Sequence, residues 1–315
     1  MSLTQPTSIA IAEAARLLHQ GELVAFPTET VYGLGADASR DRAVTRIFEA
    51  KGRPQFNPLI VHVATLEDAT SLATFSALAI KLARRFWPGP LTLVVPRRKE
   101  CNVSWLATAG LDTVAIRCPA HPVAQALLKA FGGPLAAPSA NPSGTVSATA
   151  AEHVAEGLGH AVAMVLDGGS TAYGLESTII GFDGDAPTML RPGAVSREDI
   201  ERVVGPLSKA VDHETAPHSP GRLKRHYATA KPLRLNATVV LPGEAQLAFG
   251  IPLPGAATTL NLSFRSDLAE AAGNLFAMLR TLDKSAASTI AVMKVPRHGL
   301  GEAINDRLER AAVRE

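Results

Sequence analysis

Hydroxyl-bearing residues and glycines are concentrated at positions 27–35, in the run PTETVYGLG. This run follows the apolar stretch Leu23 to Phe26, which reads as a buried strand, and α/β proteins bind ligands at the ends of strands. Hydroxyls and glycine amides in such a place can come close to a small polar substrate. A glycine-rich turn with a purely structural role is the alternative.

Positively charged side chains come next along the chain. Lys51 and Arg53 stand in KGRP, and Asn57 and His62 enclose the apolar residues of NPLIVH. Phosphoryl chemistry needs fixed positive charge near developing negative charge, and a guanidinium group matches two phosphate oxygens. These residue types therefore indicate phosphate binding, although a solvated basic loop has the same composition. A lone strand histidine such as His62 is usually a core residue.

Further polar groups occur in four short segments of the middle of the chain: TVAIR at 113–117, PSANPSG at 138–144, ESTI at 176–179 and LRPG at 190–193. Hydroxyls and amides can hydrogen-bond the sugar and base edges of a nucleotide, and arginines can pair with anions. Serine, asparagine, proline and glycine are also ordinary turn formers. Residue types alone leave both interpretations open.

Several familiar kinds of site are missing from the sequence. There is no GxxxxGK[ST] loop, no GxGxxG opening a helix, no HExxH and no GxSxG, which removes support from the common NTPase and hydrolase classes. The two cysteines, Cys101 and Cys118, form no CxxC pair. We therefore predict no zinc site and no disulfide.

Predicted helices and strands alternate along the chain and place these segments between them. We expect helices at 9–20, 42–50, 78–86, 123–131, 200–204, 268–282 and 303–312, and strands at 23–26, 59–63, 91–95, 114–117, 164–166, 178–182, 239–241 and 290–293. Ser196 and Asp199 resemble a capping box before the helix at 200. The pattern predicts a mixed α/β architecture without fixing the sheet order.

The chain is long enough for two domains, because single cores usually stop growing below its 315 residues. Helical and strand periodicity disappears between 206 and 236, where Pro217, Pro220 and Pro232 interrupt the chain. We predict a domain at 1–205, a basic linker at 206–236 and a small α/β domain at 237–315.

Composition narrows the class of protein. A hydrophobic fraction of 46% with 19% charged residues is typical of a globular protein, and a net charge of +2 does not indicate a nucleic-acid surface. The first residues lack the basic segment of a signal peptide, and the long uncharged stretches contain glycine, proline and polar residues. We expect a cytoplasmic protein without a membrane span.

Taken in order, the motifs closely resemble the YrdC-like threonylcarbamoyl-AMP synthase family. The resemblance rests on PTETVYGLG, KGRPxxxPL at 51–59, FWPGPLTLV at 86–94, PSANPSG, and ESTI followed by RPG. SPGRLKRHYATAKPL at 219–233 and GEAINDRL at 301–308 resemble segments of the long, two-domain form. The resemblance implies a YrdC-like twisted mixed sheet with flanking helices, plus a smaller Rossmann-like C-terminal α/β domain.

The resemblance also implies an activity and its residues. L-threonine, bicarbonate and ATP would condense to threonylcarbamoyl-adenylate and pyrophosphate, with Mg²⁺ accompanying ATP, and the product would feed a machinery that modifies transfer RNA. The residues implied around threonine are Thr30, His62, Arg117, Ser177 and the backbone at Ala137, with Arg117 on the carboxylate. Those implied around ATP are Lys51, Arg53, Asn57, Thr113, Ser139, Ser147, Arg191 and Tyr227, of which Lys51 and Arg53 would also be catalytic.

The predicted linker allows two interpretations. Residues 219–234 contain five basic and no acidic residues, so the segment fits a lid that closes over nucleotide or, alternatively, a soluble tether. The segment after PSANPSG, which contains Ser147, lacks a second proline that is typical of the family. No catalytic role follows for the C-terminal domain.

Two other functions remain open. A tRNA- or rRNA-binding module without catalysis would use the basic segments, and even the enzyme would allow a weak RNA contact, but 5% aromatic residues provide little stacking surface. A carbamoyl-transfer domain of the hydrogenase-maturation kind would share the fold but would lack the SPGxxxRHYA-like linker.

Overall fold

The computed structural model describes residues 2–184, 186–209 and 226–313, which form two units of mixed α/β structure. In the first unit the strands are β1 (Ser2–Thr4), β2 (Val24–Phe26), β3 (Gly33–Asp37), β4 (Ile60–His62), β5 (Leu91–Pro96), β6 (Thr113–Arg117), β7 (Leu135–Ala136), β8 (Met164–Leu166), β9 (Thr178–Asp183), β10 (Ala186–Arg191) and β11 (Ser208–Lys209). Its helices are α1 (Ser8–His19), α2 (Asp41–Lys51), α3 (Leu66–Leu72), α4 (Ala77–Phe86), α5 (Pro122–Phe131), α6 (Ala151–Leu158) and α7 (Arg197–Val204).

The strands of the first unit form one mixed sheet in the order β1-β8-β2-β3-β7-β4-β6-β5-β9-β10-β11. The sheet contains parallel pairs, such as β4 with β6 and β5 with β9, and antiparallel pairs, such as β5 with β6 and β9 with β10. Strands that are distant in the chain therefore become neighbours in the centre of the sheet. This centre holds β4, β6, β5 and β9.

Both faces of the sheet are covered. On β2, Val24 and Phe26 join a cluster with α1 and α5, whereas Ala25, which points to the other face, joins the main hydrophobic core. Such continuous burial is expected for strands that are packed by helices on both sides. The main core also contains Val61 and Ile116, on the central strands.

The second unit is a small parallel sheet with two long helices. Its strands are β12 (Leu233–Ala237), β13 (Glu244–Ala248), β14 (Thr259–Asn261) and β15 (Thr289–Met293), in the order β12-β15-β13-β14, and its helices are α8 (Leu268–Asp283) and α9 (Leu300–Ala312). Its hydrophobic core includes Val31, Val146 and Leu175 from the first unit. The two units therefore share buried apolar surface.

The structure departs from the sequence-based expectations in several places. Residues 33–37, within a predicted turn, form β3, which pairs antiparallel with β2. The predicted strand at 239–241 was wrong: these residues lie between β12 and β13, and the side chains of Val239 and Leu241 are exposed. The segment 206–236, expected to be a linker, contains β11 near one end and the first residues of β12 at the other.

Candidate active site

The sheet centre borders a cavity that gathers polar residues from distant parts of the chain. Nine predicted site residues line it: Thr30, Arg53, His62, Arg117, Ala137, Ser139, Ser177, Arg191 and Tyr227. Thr28, Glu176 and His226 also line it, although the sequence analysis did not select them.

Alternation along the central strands explains why one face is polar. Ile60 and His62 point to the cavity side of β4, whereas Val61 between them packs into the main core. On β6, Arg117 pairs in register with His62 across the parallel ladder. These two side chains stand where both strands end, which is the usual place for ligands in α/β sheets.

Arg117 is buried, with an exposed fraction of 3%, and is held by neighbours from the PTETVYGLG segment. Its Nη2 donates to Glu29 Oε1 at 2.6 Å, its Nη1 donates to Thr30 Oγ1 at 2.8 Å, and its Nε donates to the Gly89 carbonyl at 3.3 Å. Glu29 also accepts a hydrogen bond from the Ala120 amide at 3.0 Å. A guanidinium carries five N–H groups, so two remain for a ligand carboxylate.

His62 is a neutral imidazole at physiological pH. Burial, together with the positive charge of Arg117, lowers its pKa from 6.5 to about 3. Its Nδ1 is buried and has no hydrogen-bond partner among residues 2–184, 186–209 and 226–313. Because unpaired buried polar atoms are costly, a ring that lines a cavity in this state is suited to bind a ligand.

The KGRP motif forms the end of α2 and the turn that follows it. Gly52 adopts a left-handed conformation with φ of 58°, which closes the helix and which glycine adopts without strain. The next residue, Arg53, donates to the carbonyls of Asn57 at 3.2 Å and Pro58 at 2.8 Å. These bonds fix the guanidinium at the cavity wall.

Lys51 does not line the cavity. Its Nζ donates to the Ser139 carbonyl at 2.5 Å and to the Asn141 carbonyl, so it holds the PSANPSG turn from behind. Asn57, Thr113 and Ser147 are likewise absent from the described lining, and Thr113 begins β6, roughly 13 Å along the strand from Arg117. A role in ATP binding stays a prediction for all four residues.

The ESTI and RPG motifs pack against each other. Arg191 donates to the Ser177 carbonyl at 2.9 Å and to its hydroxyl at 3.3 Å, and that hydroxyl also bonds Thr92 Oγ1 at 2.7 Å. A Cβ at Gly193 would lie 2.4 Å from the Thr178 nitrogen. Glycine is therefore required here, because the RPG turn contacts the backbone of ESTI.

Positive charge is crowded around the cavity. Burial and the charge of Arg191 lower the pKa of Arg53 to about 10, and burial also lowers the pKa of Arg191. Lys51 has a pKa well below its usual value, first through burial and then through Arg53. At neutral pH Arg53 and Arg191 stay charged and repel each other, a repulsion that a bound polyanion would relieve.

The wall formed by residues 226 and 227 is continuous with the second unit. Tyr227 stacks on Phe276 of α8 with ring centroids 5.4 Å apart, and its exposed fraction is 1%. His226 contacts the Tyr227 ring, and its Nδ1 is buried with no hydrogen-bond partner in the described part of the chain. Residues 219–225 of the lid expected at 219–234, which include Arg222, Lys224 and Arg225, lie outside the described residues.

Glu176 and Arg307 form a buried ion pair beside this wall. Arg307, on α9, donates from Nε to Glu176 Oε2 at 2.9 Å, and Ser147 donates to Glu176 Oε1 at 2.6 Å. Although burial alone would raise the pKa of Glu176, the positive charges of Arg307 and Arg191 outweigh it and lower that pKa to about 2. Glu176 is therefore an anion at neutral pH.

The sequence analysis predicted no zinc site, a prediction that concerns the placement of histidine, cysteine and carboxylate side chains. In the described ranges, no three or more histidine, cysteine, aspartate or glutamate side chains stand together in a metal-binding arrangement. Within the same ranges, no helix is long and apolar enough to cross a membrane.

Comparison with known proteins gives this architecture its class. Residues 16–193 match the Sua5_yciO_yrdC family model, described as "Telomere recombination". The crystal structure of Escherichia coli YciO, which is 24% identical, superposes with a TM-score of 0.55 and covers 61% of this chain and 93% of its own. The first unit therefore has the YrdC-like α/β fold.

Longer matches identify the family within this class. Residues 195–313 match the model of the threonylcarbamoyl-AMP synthase C-terminal domain. The threonylcarbamoyl-AMP synthase of Bacillus subtilis is 43% identical over 96% of this chain and 92% of its own length. Pyrococcus abyssi Sua5, solved in complex with L-threonine, is 39% identical with a TM-score of 0.90, covering 98% of this chain and 96% of its own. The chain belongs to the threonylcarbamoyl-AMP synthase family.

Proposed function

We propose that this protein is a nucleotidyltransferase that condenses L-threonine, bicarbonate and ATP to threonylcarbamoyl-adenylate and pyrophosphate. The carrying observation is that one cavity holds both an arginine suited to an amino-acid carboxylate, Arg117, and two arginines suited to phosphate, Arg53 and Arg191. Family membership over nearly the whole chain supports the same activity.

Threonine would bind at the ends of β4 and β6. The two remaining N–H groups of Arg117 would take its carboxylate, and Thr30, already oriented by Arg117, would stand beside it. The neutral ring of His62 offers a hydrogen bond to the hydroxyl or amine of the substrate. Ser177 and the backbone at Ala137 complete the proposed amino-acid subsite.

ATP would bind toward Arg53, Arg191, Ser139 and Tyr227. The triphosphate would relieve the repulsion between the two buried arginines, which bind anions most strongly where water is excluded. Mg²⁺ would arrive as the Mg·ATP substrate, its ligands supplied by phosphate oxygens and water, and would shield the pyrophosphate leaving group.

The reaction needs no nucleophile from the protein. Threonine and bicarbonate form a carbamate with release of water, an oxygen of that carbamate attacks the α-phosphorus, and the bond from the α-phosphorus to pyrophosphate breaks. The protein contributes by holding the two reactants in line and by placing charge around the phosphates before the reaction begins. We further propose that the product passes to the transfer-RNA threonylcarbamoyl-transfer machinery in the cytoplasm.

The RNA-binding alternative gains no support from the arginines of the cavity. Arg53, Arg117 and Arg191 have exposed fractions of 9%, 3% and 5%, so they are poorly placed to contact an RNA backbone at the surface. The carbamoyl-transfer alternative does not account for the family match at 195–313.

Pyrophosphate release with omitted substrates tests the proposal. The purified protein should release pyrophosphate from ATP only when threonine and bicarbonate are both supplied, and serine should be a poor substitute. Arg53→Gln should reduce the rate roughly tenfold or more, whereas Arg46→Gln, which removes a half-buried ion pair with Glu22, should change it little. Pyrophosphate release that is equally fast with serine, or that needs no bicarbonate, would contradict the proposed function.

A further inference from the structure

We infer that Arg307, on α9 of the second unit, is a positioning residue for the ATP subsite, because it holds the Glu176 carboxylate away from Arg191. The inference rests on the proposed function, since it assigns Arg191 to a phosphate. It also gives the C-terminal unit a specific part in the reaction, acting through Glu176 without contacting the substrate itself.

The first observation is the complete burial of Arg307, whose exposed fraction is 0%. Its Nε donates to Glu176, its Nη1 donates to Asp306, and its Nη2 donates to the Pro192 carbonyl at 2.9 Å. Its guanidinium carbon lies 5.1 Å from the centre of the Tyr227 ring. One side chain from α9 therefore contacts the ESTI motif, the RPG turn and the aromatic wall.

The second observation concerns the position of Glu176 between two arginines. Its backbone neighbour Ser177 accepts hydrogen bonds from Arg191, and the charge of Arg191 acts on the Glu176 carboxyl together with that of Arg307. In the structure the carboxylate is bound by Arg307 and Ser147. Because Arg307 pairs with Glu176, the charge of Arg191 stays available for a ligand.

The third observation is that α8 supports the same arrangement from the other side. Arg280 donates to the carbonyls of Val146 and Ser147, and Ser147 in turn donates to Glu176. Both ends of the Ser147–Glu176 hydrogen bond are thus fixed by arginines of the second unit. A carboxylate held in this way cannot turn toward Arg191 without breaking charge-assisted hydrogen bonds.

Loss of Arg307 would leave a buried anion without its partner. Arg191 is the other positive charge that acts on this carboxyl, so Glu176 would neutralise the charge that the triphosphate needs. Arg307→Gln should therefore weaken ATP binding roughly tenfold or more, as expected for the loss of a charge-assisted contact. The KM for threonine should change less than threefold, because Arg117 and Thr30 are unaffected.

A double-mutant cycle tests the coupling. The variants are Arg307→Gln, Glu176→Gln and the pair together, compared by ATP affinity in calorimetry, by the KM values for ATP and threonine, and by the midpoint of thermal unfolding. In the Glu176→Gln background, Arg307→Gln should change ATP affinity less than threefold, because no carboxylate remains to capture Arg191. A tenfold loss in that background would overturn the inference.

A matched control separates site positioning from general domain contact. Arg197 on α7 pairs with Glu302 on the same helix α9, with Nη2 to Oε1 at 2.6 Å, but at the partly exposed edge. Arg197→Gln should leave ATP affinity within threefold of the wild type. If Arg197→Gln weakens ATP binding as much as Arg307→Gln does, Arg307 is only an interface contact and the inference is wrong. The same conclusion follows if Arg307→Gln impairs ATP binding and threonine use equally.

Two further comparisons keep the outcome decisive. If Arg307→Gln fails to fold, ATP affinity is compared between Glu176→Gln and the double variant, which lacks the unpaired carboxylate, with the same threefold and tenfold limits. Calorimetry with ATP alone does not depend on turnover. If the wild-type protein binds ATP but releases pyrophosphate without threonine or bicarbonate, the proposed function is contradicted. The double-mutant cycle still tests Arg307 in that case.

Discussion

Replacing Arg117 by glutamine is a direct test of the amino-acid subsite, but the structure shows that the single substitution has two effects. It removes the proposed carboxylate partner, and it also strands Glu29, whose exposed fraction is 7%, without its ion-pair partner. Breaking a buried pair from one side costs about 3–5 kcal/mol of folding free energy. A folding defect would then hide any effect on threonine.

The double variant Glu29→Gln with Arg117→Gln avoids this problem because it removes both charges. What remains lost is the charge-assisted hydrogen bonding to the threonine carboxylate, about 1.5–3 kcal/mol. At 1.4 kcal/mol per factor of ten, kcat/KM for threonine should fall roughly 10- to 150-fold. ATP affinity should stay within about threefold, since Arg53 and Arg191 are unchanged.

The assay is pyrophosphate release as a function of threonine concentration, at saturating ATP and bicarbonate, with calorimetric ATP binding measured in parallel. Glu29→Gln alone serves as the control, because it keeps Arg117 and should retain most of the threonine response. A double variant with kcat/KM for threonine within threefold of the Glu29→Gln control would refute the role given to Arg117. Equal losses of ATP affinity and threonine use would refute the separation of the two subsites.

Three further predictions concern folding and the cavity wall. The pKa of His62 is about 3 in the folded protein against an ordinary 6.5, so the unfolded chain binds a proton that the folded chain does not, and stability falls as the pH drops from 6.5 toward 3. The free energy of unfolding, measured in urea, should therefore fall by about 2 kcal/mol between pH 7 and pH 5 through this residue, and His62→Asn should lack this part of the loss. Tyr227→Ala should cost about 3–5 kcal/mol in the same assay, because the ring is buried against α8, whereas Tyr227→Phe keeps the ring and should cost less. Gly193→Ala should cost about 1–3 kcal/mol and slow pyrophosphate release, since its Cβ would overlap the ESTI backbone.

Much of the local structure could be predicted because strong patterns and caps specify it. The strand Met164–Leu166 and the helix ending at Phe86 agree with the expectations, and Ser196 Oγ accepts from the Asp199 amide at 3.1 Å as a helix cap should. The strand at 33–37 was hidden because its glycines suggested a turn. Gly35 is instead needed for packing, since a Cβ there would lie 2.8 Å from the Phe26 ring.

The order of strands and the inner geometry of the site could not be predicted. Neighbours such as β4 and β6 are separated by helices and another strand, and no local pattern encodes that pairing. The family resemblance placed Thr30, Arg53 and Arg117 in a common site, and all three line the cavity. It did not reveal Arg307, because an arginine on an amphipathic helix ordinarily reads as a surface residue.

The core that the two units share should couple their unfolding. Val31, one residue from Thr30, is buried among side chains of α8 and α9, and Tyr227 stacks on Phe276 in that same cluster. Heating should therefore give one heat-absorption peak whose calorimetric and van't Hoff enthalpies agree. A fragment of residues 1–205 alone would expose that apolar surface and should aggregate instead of acting as a minimal enzyme.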